Sequence, residues 1–368
     1  MKTKNSARVL CAALAISMLF TACSTGGAAT SSAAADSTAA VSAAASAAAS
    51  QAPATAAGGK KYAIVVKNTG NPYNEKEAQG FQDAVTKLGS TAIVKAPDQP
   101  TAEAQIAMVE ELIAQKVDGI AIAGNDFDAL QPVLTKAMGK GIQVISLDSS
   151  VNKDSRKTHV NQADPIAIGK TLVEAAYDMM GGKGEFAILS ATSQAANQNA
   201  WIAQMQTTLK DAKYKDMKLD KIAYGDDLRD KSTTEMEGLL KSYPNLTCVV
   251  SPTTVGIAAA SKVVVDKNLV GKVKITGLGL PSEMADYIVK GVCPYMYLWN
   301  PISVGTLGAY TLDAVVSGKI TGAVGDSFTA GDLGDKKVTK AGDGGTEVLL
   351  GDPFKFDSSN IAQWKTVY

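Results

Sequence analysis

Two charged residues stand where predicted strands end, and both could bind the hydroxyl groups of a ligand. Lys67 follows the apolar run Tyr62–Val66, and Asp148 follows the apolar run Gln143–Leu147. A hydrogen bond to a charged group contributes about 1.5–3 kcal/mol, so these two side chains could orient a polyhydroxylated molecule. An aspartate after a strand can also serve as a helix N-cap or a turn residue, and the sequence leaves that alternative open.

Further polar and aromatic residues follow other predicted strands. They are Asn71, Tyr73, Asn197, Gln198, Trp201, Pro252, Thr254 and Trp299. Amides and hydroxyls form hydrogen bonds to a polyol, while aromatic rings cover its apolar faces. Taken singly, the amides could begin a helix and the aromatic rings could pack in the core. Their convergence at strand ends favours ligand binding.

Enzyme chemistry is not indicated by this sequence. The chain has a single histidine, His159, which argues against Ser-His-Asp catalysis and against a His-rich metal site. It contains neither a phosphate-binding Gly-x-x-x-x-Gly-Lys-Ser/Thr loop nor a Gly-x-Ser-x-Gly elbow. We interpret Asp226, Asp227 and Asp230 as surface turn and cap residues. We therefore expect no catalytic activity, no cofactor and no metal.

The elements that would position these residues alternate regularly after Lys60. The first set of strands is predicted at Tyr62–Val66, Thr91–Val94, Gly119–Ala123 and Gln143–Leu147, with helices at Glu75–Leu88, Ala102–Gln115 and Leu130–Gly139. A second set of strands follows at Glu185–Leu189, Lys221–Tyr224, Cys248–Val250 and Val273–Thr276. Strands that are apolar throughout and joined by helices predict parallel sheets covered on both faces.

This repeat predicts an α/β protein with two doubly wound, Rossmann-like lobes and a multi-strand hinge. The first lobe is expected to contain residues 60–162 and about 300–324, and the second residues 163–299 and about 325–368. The ligand site of such a sheet lies at the carboxyl ends of its strands, so a cleft should form between the lobes. Closure about the hinge would then bury the ligand.

The N-terminus carries the layout of an exported lipoprotein. Three basic residues precede the apolar run Val9–Phe20, which is too short to span a bilayer, and Cys23 follows small residues. This arrangement resembles the bacterial lipobox. We expect residues 1–22 to be a signal peptide and residues 23–59 to be a lipidated cysteine with a disordered Ala/Ser-rich tether. The protein should then be extracytoplasmic and anchored to the cell membrane.

Composition limits the partners of the mature chain. Lys and Arg number 36, as do Asp and Glu, and removal of the basic leader leaves a mildly acidic protein. No basic footprint for nucleic acid is present, and we expect a monomer. Cys248 and Cys293 would remain after export and acylation, either as small core residues or as a disulfide.

The residues carry a specific resemblance to a known family. Ile64-Val65-Val66 followed by Asn71-Pro72-Tyr73 and Gly80-Phe81 resembles the opening of type I periplasmic sugar-binding proteins. Val144–Ser149 resembles that family's strand ending in a ligand-binding aspartate. Within the family, the chain is most similar to LsrB-type autoinducer-2 receptors and to rhamnose-binding proteins. That similarity rests on Lys67 and on Asn161-Gln162, Asn197–Asn199, Trp201, Ser251-Pro252 and Leu298-Trp299.

The resemblance implies a role for each site residue. Lys67 and Asp148 would bind ligand hydroxyls from the first lobe, and Asn197 and Gln198 from the second. Polar contacts would come from the backbone around Pro252 and Thr254, while Tyr73, Trp201 and Trp299 would form walls. The familiar autoinducer-2 pattern has Asp at the position of Asn197 and Ala at that of Thr254.

The resemblance also implies a function. The protein would be a solute-binding lipoprotein of an ABC importer, with a permease and an ATPase as partners. Its ligand would be a small cyclic polyol, with autoinducer-2 as the first choice. The departures at Asn197 and Thr254 keep rhamnose or another pentose or hexose as the alternative, and a sugar sensor without transport remains a further one.

Overall fold

A computed structural model describes residues 59–368. The expected signal peptide, Cys23 and nearly all of the expected tether lie outside the described residues. Between residues 59 and 368, no helix combines the length and the apolar character needed to cross a membrane.

Fifteen strands and ten α-helices follow one another in the described chain. The strands are β1 (Lys61–Val65), β2 (Thr91–Lys95), β3 (Gly119–Ile122), β4 (Gln143–Leu147), β5 (His159–Asn161), β6 (Gly184–Ser190), β7 (Met217–Tyr224), β8 (Leu246–Ser251), β9 (Lys274–Gly277), β10 (Tyr295–Leu298), β11 (Ser327–Thr329), β12 (Asp335–Lys337), β13 (Thr339–Lys340), β14 (Thr346–Leu349) and β15 (Phe354–Asp357). The helices are α1 (Pro72–Lys87), α2 (Ala102–Ala114), α3 (Gln131–Gly139), α4 (Pro165–Met180), α5 (Ala196–Thr208), α6 (Arg229–Ser242), α7 (Thr254–Asp266), α8 (Pro281–Val289), α9 (Pro301–Val316) and α10 (Ile361–Trp364).

Two sheets organise these elements. The first has the order β13-β14-β5-β4-β3-β1-β2, and the second has the order β7-β6-β8-β9. Every pairing in both sheets is parallel except that of β13 with β14. Ile64, Ile120 and Val144 are fully buried, as expected for strands covered on both faces. The predicted α/β architecture is therefore confirmed.

The chain passes between the two sheets three times, which forms a multi-strand hinge. It leaves the first sheet after β5, because α4 packs on β8 and β9 of the second sheet. It returns after β10, because α9 packs on β3 and β4. It leaves again after β14, because β15 pairs with β10. An isolated parallel bridge between Leu278 and Tyr297 attaches β10 to the second sheet. The lobes built on the two sheets therefore share three connections.

The C-terminal segment is divided differently from the expected boundary at residue 325. β14 pairs with β5 of the first sheet, and β13 pairs with β14. Arg156 supports this arrangement because its guanidinium donates to the Thr346 carbonyl oxygen at 3.0 Å and pairs with Asp343. The assignment of residues 339–349 to the second lobe is therefore wrong, since two short polar edge strands carry no sequence signal for one sheet over the other.

In both sheets the chain reverses its direction of winding beside the first strand of the set. β1 lies between β2 and β3, and β6 lies between β7 and β8. Loops at such a switch point diverge and leave a crevice at the carboxyl ends of the strands. These two crevices provide the residues of the candidate site.

Candidate functional site

Residues from both lobes and from the hinge enclose a small polar cavity. Its lining contains all ten residues predicted for the ligand site, together with Asn74, Asp227, Thr253, Leu278 and Leu298. Its volume is about 30 Å³, which holds about one water molecule. A larger molecule can therefore occupy this space only if the lobes separate or the side chains swing aside.

Lys67 and Asp148 face each other across this cavity with Asn197 between them. The Lys67 ammonium donates to Asn197 Oδ1 at 3.2 Å, and Asn197 Nδ2 donates to Asp148 Oδ2 at 3.3 Å. Both charged side chains belong to residues only 5 % exposed. Burial raises the pKa of Asp148, while the nearby Lys67 ammonium opposes that rise. Asn197 of the second lobe therefore joins both charged groups of the first.

The backbone at Asp148 adopts a left-handed conformation. Its φ is +55°, and Asp227 on the other lobe has a φ of +53°. Non-glycine residues seldom adopt this conformation, and strained backbone is concentrated at functional sites. Asp148 does not cap a helix, because Tyr73 and Asn197 donate to its two oxygens. The helix-cap interpretation of Asp148 is therefore wrong.

Asn71 begins α1 and also reaches the second lobe. Its Oδ1 accepts from the Tyr73 amide at 3.0 Å, which is an N-cap interaction, and from the Thr254 hydroxyl at 3.2 Å. The hydroxyl that distinguishes Thr254 from the alanine of the autoinducer-2 pattern therefore forms a bond between lobes. Pro252 lies beside it in the lining of the cavity.

Gln198 is fixed by its amide oxygen. Oε1 accepts from the Ser190 hydroxyl and from the Ala191 amide, each at 2.9 Å. Gln198 is buried at the cavity wall, so this anchoring at the end of β6 leaves its Nε2 group as the donor that can serve a ligand.

Three aromatic residues form one continuous wall. Trp299 Nε1 donates to the Tyr73 hydroxyl at 2.7 Å, and the Trp201 and Trp299 rings meet edge to face with centroids 5.7 Å apart. Tyr73 also donates to Asp148 Oδ1 at 3.2 Å. Burial raises the pKa of Tyr73 well above its usual value, and the Asp148 carboxylate adds to the rise. The wall is therefore hydrogen-bonded to the charged part of the site.

Asp227 was interpreted as a surface residue, and the structure contradicts this. It is buried, lines the cavity and accepts a hydrogen bond from the Thr253 hydroxyl. Burial raises its pKa, whereas Lys67 and Thr253 lower it. Its position directly after a strand was the signal that could have identified it. Two carboxyl groups, one from each lobe, thus flank the Lys67 ammonium.

Glu77 lies behind the cavity and was not predicted from the sequence. It is fully buried on α1, and neither carboxyl oxygen has a hydrogen-bond partner among the described residues. Burial raises its pKa well above the usual range, Asp148 raises it further and Lys67 opposes the rise. Burial therefore favours the neutral acid form of Glu77 over the carboxylate.

Within residues 59–368, no group of three or more His, Cys, Asp or Glu residues could hold a metal ion. Cys248 and Cys293 are buried free thiols, and burial raises the pKa of Cys248 to about 12. The core interpretation of the two cysteines is therefore the one the structure supports.

Hydrogen-bonding groups from two hinged lobes can enclose a neutral polar molecule and fix its orientation.

Comparisons with known proteins agree with this geometry. The sequence profile described as "periplasmic binding protein domain" matches residues 62–320. The crystal structure of an ABC transporter solute-binding protein from Clostridium phytofermentas, with bound L-rhamnose, is 51 % identical, with a TM-score of 0.83 over 84 % of this chain and 99 % of that one.

Two further relatives extend the comparison. The D-allose-binding periplasmic protein of Escherichia coli is 25 % identical over 71 % of this chain and 86 % of its own length. LsrB from Clostridium saccharobutylicum, in complex with AI-2, is 22 % identical with a TM-score of 0.78 over 83 % of this chain and 99 % of that one, a likeness that shows the fold alone. The relatives named here are binding proteins, not enzymes.

Proposed function

The chain belongs to the periplasmic binding protein domain family, whose sugar-binding members serve ABC importers, and from this premise we propose that it binds a neutral monosaccharide by closure of its two lobes. The observation that carries the proposal is the cavity itself. Lys67 and Asp148 from one lobe and Asn197, Gln198 and Asp227 from the other converge on one enclosed space.

L-Rhamnose is the first candidate for the ligand. The protein with bound L-rhamnose is 51 % identical to this chain over 99 % of its own length and 84 % of this chain, which supports a shared ligand class. The chemistry also fits a deoxy sugar, because the cavity offers charged and amide groups to hydroxyls and apolar surface at Trp201, Leu278 and Leu298 to a methyl group.

Autoinducer-2 is now the second candidate. Its support is the sequence pattern around Lys67, Asp148 and Gln198, since the likeness to LsrB extends only to the fold. Asn197 is neutral where the autoinducer-2 pattern carries a charge, and Thr254 is bulkier than alanine. Both differences favour a ligand other than the compact tetrahydroxyfuran.

Isothermal titration of the purified chain with L-rhamnose, D-ribose, D-galactose and autoinducer-2 tests the proposal. We expect L-rhamnose to bind with a Kd of about 1 μM or lower, equivalent to about −8 kcal/mol, and the others to bind more weakly. Tighter binding of autoinducer-2 than of every sugar would replace rhamnose with the signalling ligand. Absence of heat from all four compounds would contradict the proposal that the chain binds a neutral monosaccharide.

We further propose that the protein delivers its ligand to an ABC permease from a lipid anchor at Cys23. The supporting observations are the basic, apolar and small residues that precede this cysteine. Metabolic labelling with a radioactive fatty acid should mark the parent chain and leave the Cys23→Ser variant unlabelled. Labelled variant protein would contradict acylation at Cys23, and growth on the sugar after loss of this chain would favour sensing over import.

A further inference from the structure

A second and larger groove lies between the lobes beside the polar cavity. Its volume is about 580 Å³, against about 30 Å³ for the cavity. Asp148, Asn197 and Trp201 line both spaces, so the two spaces are adjacent. The proposed monosaccharide site accounts for the cavity and leaves the groove without a function.

One wall of the groove is weakly apolar, with four small side chains beside the larger Trp201 and Gln204. It is formed by α5, whose residues Ala196, Ala200, Ala203 and Thr207 recur at helical spacing and therefore lie on one face. Their small side chains leave the backbone of α5 open to close approach. A flat molecule can lie against these small side chains.

The opposite wall belongs to the first lobe and carries several polar groups beside Phe127 and Leu349. Arg156 and His159 are buried there, and Asn161 donates to Glu347 Oε2 at 2.8 Å. The Arg156 guanidinium is held by the Val151 and Thr346 carbonyl oxygens, each at 3.0 Å. These groups are fixed before any ligand arrives, which lowers the entropic cost of binding to them.

A sugar ring combines an apolar C–H face with hydroxyl groups at its edge, and the two walls offer surfaces complementary to both. We propose that the groove is a second subsite, which holds the neighbouring ring of a disaccharide whose terminal sugar occupies the polar cavity. This inference rests on the proposed function and extends its substrate class from a free monosaccharide to a short glycoside. Asp148 lies between the two spaces and can serve both rings.

Titration with rutinose and neohesperidose, two disaccharides of L-rhamnose and D-glucose, tests the inference beside free L-rhamnose. We expect at least one disaccharide to bind within about tenfold of the free sugar's affinity, about 1.4 kcal/mol. Binding of L-rhamnose with no heat from either disaccharide would overturn the proposal of a second subsite and leave the proposed function intact. Binding of a disaccharide without free rhamnose would support the groove and contradict a monosaccharide ligand.

A variant that fills the groove provides the structural test. Ala203→Trp places a large ring in the groove from an exposed helical position, and Gln206→Trp places the same ring on α5 outside the groove. We expect Ala203→Trp to weaken disaccharide binding at least about tenfold while leaving the affinity for L-rhamnose unchanged. Gln206→Trp should change neither affinity. Equal disaccharide affinity in the two variants, or silence of both disaccharides with the parent chain, would overturn the inference.

Discussion

At the scale of single residues, the site combines charge with strain. Asp148 adopts a left-handed backbone and receives hydrogen bonds from Tyr73 and from Asn197. Its carboxyl group is buried and faces the Lys67 ammonium across Asn197, so the surrounding structure fixes its position before a ligand binds. A buried charged acceptor of this kind should contribute to affinity rather than to the fold.

Substitution of Asp148 tests that role. Asp148→Asn keeps a residue type that tolerates a positive φ but loses the charge, so affinity for the sugar should fall roughly ten- to a hundredfold, equivalent to about 1.5–3 kcal/mol. The melting temperature without ligand should change little. Asp226→Asn is the matched control, because Asp226 has a φ of +54° and does not line the cavity. Titration that finds equal affinity for the two variants would remove Asp148 from the site.

Glu77 makes a prediction about pH. Its pKa in the folded protein lies well above the usual value, so folding binds a proton, and the parent loses stability as pH rises above the ordinary carboxyl pKa of about 4.3. Glu77→Gln removes this penalty. The melting temperature of the variant minus that of the parent should therefore increase with pH. The corresponding difference in the free energy of unfolding should rise by up to about 1.4 kcal/mol per pH unit.

The exposed neighbour Glu75 on α1 provides the control. Glu75→Gln should not reproduce the pH-dependent gain, because its side chain is not enclosed by protein. Scanning calorimetry between about pH 4 and pH 8 resolves the two variants, since the window begins at the ordinary carboxyl pKa. If the difference in melting temperature between Glu77→Gln and the parent stayed constant across that range, Glu77 would be ionised in the folded state.

At the scale of elements, two helices pack backbone to backbone beneath the site. A Cβ at Gly305 of α9 would collide with the Glu77 carbonyl oxygen, and a Cβ at Gly80 of α1 would collide with that of Ile302. This close approach brings α9, which follows the hinge residue Trp299, against α1, which carries Tyr73 and Asn74. The glycines therefore set how closely α9 approaches α1.

Gly305→Ala tests this packing. The added methyl group meets backbone rather than a flexible side chain, so the helices must separate, at a cost of about 1–3 kcal/mol. Gly238→Ala in α6 is the control, because nothing lies within 4 Å of its added methyl group. Removal of glycine from a helix interior should stabilise that variant by about 0.5–1 kcal/mol. Urea denaturation should show opposite signs, and equal stability of the two variants would contradict the packing argument.

At the scale of the whole molecule, direct hydrogen bonds hold the lobes together. Lys67 and Asp148 of the first lobe bind Asn197 of the second, and Thr254 of the second lobe donates to Asn71 of the first. Ligand hydroxyls can replace these bonds with equivalent ones, so closure around a ligand need not lose hydrogen bonding. If the proposed sugar binds here, the lobes would therefore exchange one bonded arrangement for another.

Asn197→Ala should shift the protein towards open lobes. The variant loses two bonds to charged groups that link the lobes, each worth about 1.5–3 kcal/mol. Small-angle X-ray scattering without ligand should give a larger radius of gyration than for the parent. Asn199→Ala removes a bond to Ser193 within one lobe and should match the parent. An unchanged radius for Asn197→Ala would mean that other contacts hold the closed form.

The sequence alone determined the fold class and most of the strands, and it predicted ten residues that the structure brings together at one cavity. Apolar runs such as Val144–Leu147, joined by helical segments, favour covered parallel strands, and a parallel sheet places its loops at a common edge. For that reason all ten predicted site residues meet at one cavity. They lie in loops after strands or near the start of the next helix, so strand-end pattern and family resemblance together were enough to predict that they meet.

Only the tertiary structure decided the remaining features. Asp227 and Glu77 belong to a polar loop and a polar helix stretch, and both are buried by elements distant in the chain: Thr253 contacts Asp227, and α9 packs on Glu77. The pairing of β14 with β5 depends on which edge lies within reach of a short strand. Whether Asp148 caps a helix or faces Lys67 is likewise set by contacts far apart in the chain, which no local pattern records.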